Sequence, residues 1–162
     1  MKKILMICVA LLFSANAWAD NALENDAMEE GKLLMESNCM TCHNASLDPP
    51  MGPPMFAVQM RYKLATNDRD SFIDQLTAFT MHPSEERAVM QNGIEQLGLM
   101  PDIGADEDEV RKIAAYIHDE TFAPPCEHWQ IGMKIAKAQG DTKHFKKDQM
   151  MFNRMCLNQP AK

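Results

Sequence analysis

The chain has 162 residues, enough for one ordinary domain and an extension. Its 23 acidic residues outnumber 16 basic ones, for a formal net charge of −7. That balance argues against nucleic acid as a partner, because phosphate contacts need a basic face.

The N-terminus reads as a targeting segment. Lys2 and Lys3 precede an unbroken apolar run from Ile4 to Phe13, and Ala17-Trp18-Ala19 gives an A-x-A cleavage site. The run is shorter than the roughly 20 residues of a membrane span. The expectation is a signal peptide over 1–19, export to the periplasm, and no stable membrane insertion after cleavage. The charge is unevenly spread beyond it. Residues 20–125 carry 7 basic and 20 acidic side chains, and residues 126–162 carry 7 basic and 3 acidic. The change of sign points to two structural units, 20–125 and 126–162.

The spacing predicts a first helix over 22–37, with an imperfect apolar face of Leu23, Ala27, Leu33, Leu34 and Met35. Residues 44–56 hold four prolines and a glycine and read as a rigid loop. A short helix over 70–80 presents Phe72, Leu76 and Phe79 on one face. Another over 84–97 would open at Ser84 and close near Gly98. Asp106 with Glu109 is a capping signal. Behind it Val110, Ile113, Ala114 and Ile117 fall at i, i+3, i+4 and i+7, the strongest helical pattern in the chain. Ala123-Pro124-Pro125 is a boundary. Two amphipathic helices follow, about 127–138 and 142–156, around Gly140-Asp141. No alternating strand pattern is visible, so the expected fold is all-α.

Cys39-Met40-Thr41-Cys42-His43 is the C-x-x-C-H sequence of c-type haem attachment. One turn of chain lets two thiols add to vinyl groups on one porphyrin edge, and the adjacent histidine reaches the iron. A thioredoxin-like motif would follow a strand in an α/β pattern, and a zinc site would need two further ligands nearby. Neither context is present. For the sixth ligand the reading selects Met100, in a loop between two predicted helices, where Pro101 favours extended backbone. Met81, Met90 and His82 are the competitors, the last giving a bis-histidine iron. Cys126 and Cys156 lie at the base of the predicted hairpin, where an oxidising compartment would join them. Trp129, Met133, Phe145, Phe152 and Met155 could form the hairpin's own seam or dock on the haem unit.

The chain resembles the class I monohaem cytochromes c over residues 25–121. The likeness runs through Gly31-Lys32, Met35, Asn38 to His43, Gly52-Pro53-Pro54-Met55, Leu99-Met100-Pro101, Asp108-Glu109-Val110 and Ile113 to Ile117. It implies a cytochrome c-like fold in which the first and last core helices cross near Gly31 and Ala114 or Tyr116. It also implies a hydrogen bond from the His43 ring to the Pro53 carbonyl, with Pro54 as a substitute. Arg61 and Tyr62 become candidates for the haem propionates, against a plain reading as an exposed helix pair. The minimal family fold has no counterpart of 126–162.

With both axial positions filled the iron would exchange electrons with partner proteins and not bind substrate. No Ser/His/Asp set, paired carboxylates or phosphate loop supports an enzyme. The leading expectation is an electron-transfer protein with one covalent haem c. The alternatives are a haem subunit of a larger dehydrogenase or reductase complex, or a small haem enzyme or gas-binding protein with a labile sixth position.

Overall fold

The computed structural model describes residues 25–157. The expected signal peptide, the first residues of the expected first helix and the last five residues lie outside that range. Among the described residues the chain is helical with no strand, and no helix is long and apolar enough to cross a membrane.

Helix α1 covers 25–38, followed by the single turn α2, Met40–His43. Then come α3, Met55–Ala65; α4, Arg69–Met81; α5, Gln91–Leu97; and α6, Glu107–Asp119. Two further helices, α7 (Cys126–Gln139) and α8 (Thr142–Phe152), form a hairpin that ends in a π-helical turn at Asn153–Leu157.

Helix α6 organises the core. The Asp106 carboxylate accepts from the amides of Asp108 and Glu109, satisfying two of the free donors of the first turn. Val110, Ile113, Ala114 and Ile117 are all buried, so the 3.6-residue period becomes a core-facing stripe. Helix α4, capped by Asp68 through the Ser71 amide, lies against this stripe with Phe72, Ile73 and Leu76 buried.

Helix α1 packs on the core through part of the expected face, Met35 with the half-buried Leu34, and through Gly31. Leu33 is 56 % exposed, whereas Gly31 and Met35 are buried. The approach is close. A Cβ on Gly31 would stand 2.6 Å from the Lys112 carbonyl oxygen and 2.8 Å from the Tyr116 Cβ. Only glycine lets the two backbones meet there, and the contact falls at Lys112 and Tyr116 while Ala114 faces the core.

Two stretches differ from the sequence expectation. Helix α3 was not anticipated. Its buried residues are Met55, Val58 and Tyr62, but Met60 and Leu64 are exposed, so no one-sided stripe marks it. Its Gln59 side chain donates to the carbonyls of Ile117 and Glu120 at 2.5 and 2.6 Å, closing the C-terminus of α6. The helix expected over 84–97 starts only at Gln91. Ser84 opens a turn instead, its hydroxyl accepting from the Arg87 amide. The Gln91 side chain donates to the carbonyls of Glu85 and Ala88, holding that segment out of the helix. Gly98, at φ 84°, ends α5.

The hairpin turns at Gly140, which adopts left-handed φ 74°. The Asp141 carboxylate caps α8 through the His144 amide. A disulfide joins Cys126 at the start of α7 to Cys156 in the closing turn. Trp129 is 7 % exposed and meets Phe56 of α3 edge-on, with ring centroids 6.2 Å apart. The hairpin therefore docks on the body through Trp129.

Candidate functional site

The C-x-x-C-H residues sit where α1 gives way to α2. The Cys39 amide donates to the Met35 carbonyl, ending α1, and the amides of Cys42 and His43 both donate to the Cys39 carbonyl. This tight turn puts Cys39, Cys42 and His43 along one edge of a large cleft. Neither cysteine is in a disulfide. Burial and the neighbouring Cys42 push the Cys39 thiol up to about 11, so it is neutral.

The cleft has about 1380 Å³ of empty volume, counted out to the solvent at its mouth. Its walls are apolar. Leu76 and Phe79 come from α4, Val110, Ile113 and Ile117 from α6, and Met55, Val58 and Tyr62 from α3. These are the core faces of three helices, so the cleft is the part of the core that the side chains do not fill.

His43 is held in one orientation. Its Nδ1 lies 2.6 Å from the Pro53 carbonyl oxygen. A carbonyl can only accept, so Nδ1 carries the proton and Nε2 keeps a free lone pair. Burial lowers the affinity of the imidazole for a second proton, and the Pro53 carbonyl opposes this in part. The Pro54 carbonyl is engaged elsewhere, accepting from the amides of Ala57 and Val58 at the start of α3. Gly52 packs against the ring. A Cβ there would lie 3.2 Å from both Cε1 and Nδ1 of His43, tighter than ordinary contact.

The other candidates separate cleanly. Met100 lines the cleft with its neighbours Leu99 and Pro101, and Met90 lines it from the turn before α5. Met81 and His82, at the end of α4, do not. Tyr62 is 3 % exposed and lines the cleft, and burial holds its phenol above its ordinary value. Arg61 is exposed and outside the lining. Successive helix residues turn by about 100°, so α3 cannot aim both Arg61 and Tyr62 inward, and the structure does not bring Arg61 to the site. Met51, Met55 and Val89 were not anticipated as lining residues. Met51 and Met55 flank the Gly52-Pro53 contact with His43 and thus belong to the histidine side.

These features fit a haem. The two thiols and the histidine share one edge of the cleft, the histidine offers a metal-ready nitrogen, and the walls are apolar enough to bury a porphyrin. Among the described residues no group of three His, Cys, Asp or Glu side chains could hold a metal ion by itself. The fold and the site are those of a monohaem c-type cytochrome. The family model described as "Cytochrome C oxidase, cbb3-type, subunit III" matches residues 26–117, and the chain belongs to that family. No curated protein and no solved structure matches the chain.

Membership implies a covalently bound haem c and haem-based electron transfer with redox partners. The bound group supplies a one-electron ferric/ferrous couple. Cys39 and Cys42 are the residues that would anchor it, His43 would offer its Nε2, and the α3, α4 and α6 side chains lining the cleft would shield it from water.

Proposed function

We propose that this chain is a periplasmic electron carrier with one haem c, bonded to Cys39 and Cys42 and ligated by His43 and Met100. One observation carries the reading: Met100 lines the same cleft as Cys39, Cys42 and His43, whereas Met81 and His82 do not. Met90 is the remaining competitor within the cleft. Thioether ligation raises the potential relative to two histidines, and a filled sixth position disfavours substrate binding. Tyr62 supplies a buried phenol as a propionate or ring contact, and the targeting pattern of residues 1–19 supports export.

An absorption spectrum of the oxidised protein tests the ligand set. The Met–iron charge-transfer band in the far red is expected in the natural protein, and Met100→Ala removes it while the haem stays covalent. A band that survives the substitution assigns the ligand to Met90. A high-spin ferric spectrum in the natural protein, shifting with carbon monoxide after reduction, replaces the carrier by a haem with an open position.

The family description, which names an oxidase subunit, favours a second reading, a haem subunit of a larger complex. Stoichiometric co-purification of a partner that is lost on removing 126–162 would establish it. A monodisperse single chain at native expression level would sink it.

A further inference from the structure

The 126–157 hairpin lies outside the family match, which ends at residue 117. It nevertheless touches the loop that controls His43. That loop, residues 44–54, leaves the iron-ligand candidate at one end and returns at the other to place the Pro53 carbonyl on Nδ1. Its own bonds are short-range. The Leu47 amide donates to the Asn44 carbonyl at 3.3 Å, and the Ser46 amide to the Asn44 side chain at 2.9 Å.

Helix α7 grips the same loop from outside. The Ser46 hydroxyl donates to Glu127 at 2.5 Å, and Lys134 pairs with Asp48 at 2.9 Å. Glu127 and Lys134 are seven residues apart and so share one stripe of the helix. Just past the loop, Phe56 meets Trp129. The grip has a fixed base, because Cys126, which precedes Glu127, is tied to Cys156. The Lys134–Asp48 pair is exposed and contributes little alone. The buried Trp129 provides the adhesion, and the polar contacts set the position of the loop.

We propose that the hairpin is a clamp on the 44–54 loop, with Ser46, Glu127 and Trp129 as positioning residues that keep the Pro53 carbonyl on His43 Nδ1. The inference rests on His43 being the iron ligand but not on Met100. A firm Nδ1–H···O bond makes the imidazole a stronger donor, which favours ferric iron. Loosening the clamp therefore raises the midpoint potential and exposes the Nδ1 proton to solvent.

The test uses the full-length haem-loaded protein and two readouts, the midpoint potential and hydrogen exchange of the His43 Nδ1 proton. Exchange is followed by NMR in the reduced protein under carbon monoxide, where the iron is diamagnetic whichever sixth ligand is native. Ser46→Ala changes no charge and removes one contact at the surface, so it should fold. Faster Nδ1 exchange, by several-fold, and a higher potential are expected. Asp48→Lys should do the same, and the exchange Asp48→Lys with Lys134→Asp should restore both values at unchanged net charge. Asp26→Lys, at an exposed position at the start of α1, makes the same change of charge away from the loop and controls for charge alone. Exchange and potential that match the natural protein in Ser46→Ala and in Asp48→Lys overturn the clamp. A missing Met–iron band with altered exchange instead overturns the ligand assignment and leaves the clamp standing.

Discussion

At the scale of single residues, the site is built by geometry that places few groups and restrains them tightly. The C-x-x-C-H residues stand out in the sequence as candidates for haem attachment because their spacing is itself the chemistry. Met100 was separable from His82 only weakly in the sequence, since both precede a proline. The structure separates them by where they lie: Met100 is part of the cleft and His82 is not. Arg61 shows the opposite case, a side chain assigned by neighbourhood to Tyr62 that the helix turns away. Asp148 was passed over entirely, yet it is a buried acid, 6 % exposed, on a basic helix. Burial raises its carboxyl above the ordinary range, while His144, 3.4 Å away, and Lys147 oppose the shift. Because the folded-state value is raised, the stability this group contributes is present at acid pH and is lost as pH rises through the folded value. Asp148→Asn should then melt higher than the natural protein at pH 7, and the gap should close as the pH is lowered towards 4. Thermal melts across that range check it, and equal melting temperatures at pH 7 would refute the burial argument.

Helices were legible in proportion to how one-sided they are. Helix α6 carries its apolar residues on one face and a cap at its start, so period and signal agreed. Helix α3 lacks a stripe because its outward Met60 and Leu64 are as apolar as its buried residues. The start of α5 was misplaced because Gln91, seven residues past the serine that looked like a cap, holds the preceding turn through two backbone carbonyls. Side-chain bonds of that kind leave no periodic trace. The crossing of α1 and α6 was read from Gly31, with Tyr116 as one of the two expected partners; the backbone of Lys112, and not Ala114, is the other. At this crossing Gly31→Ala forces the backbones apart. The expected cost is about 1–3 kcal/mol, read as a lower denaturant midpoint with covalent haem retained. A midpoint unchanged within error would mean that the helices can separate freely there.

At the scale of the whole molecule, the change of charge sign near residue 125 marks off the hairpin in the sequence but says nothing about how it meets the rest of the chain. Among the described residues, the hairpin meets the body through contacts that include one aromatic pair and two polar contacts between residues more than 70 positions apart. Nothing in local pattern encodes such pairs. The acidic body and basic hairpin attract each other at long range, which assists assembly at low salt and matters little at physiological ionic strength. The cleft was foreseeable from the haem motif. Its walls were not, because they are assembled from three helices, one of which had no readable stripe.

The four described cysteines make opposite demands on the chemistry that matures the chain. Under the proposed haem attachment, Cys39 and Cys42 would have to meet a vinyl group as thiols, whereas Cys126 and Cys156 are joined. Four thiols allow three complete pairings, and the one that contains Cys126–Cys156 also closes the haem pair if oxidation goes to completion. An indiscriminate oxidant would therefore yield a correctly stapled hairpin on a protein unable to load its cofactor. An indiscriminate reductant would yield a loaded cofactor beside an open hairpin. Production of the native molecule then requires either that reducing power reach the N-terminal pair alone, or that the haem be attached before the C-terminal pair is oxidised, so the order of these two modifications matters.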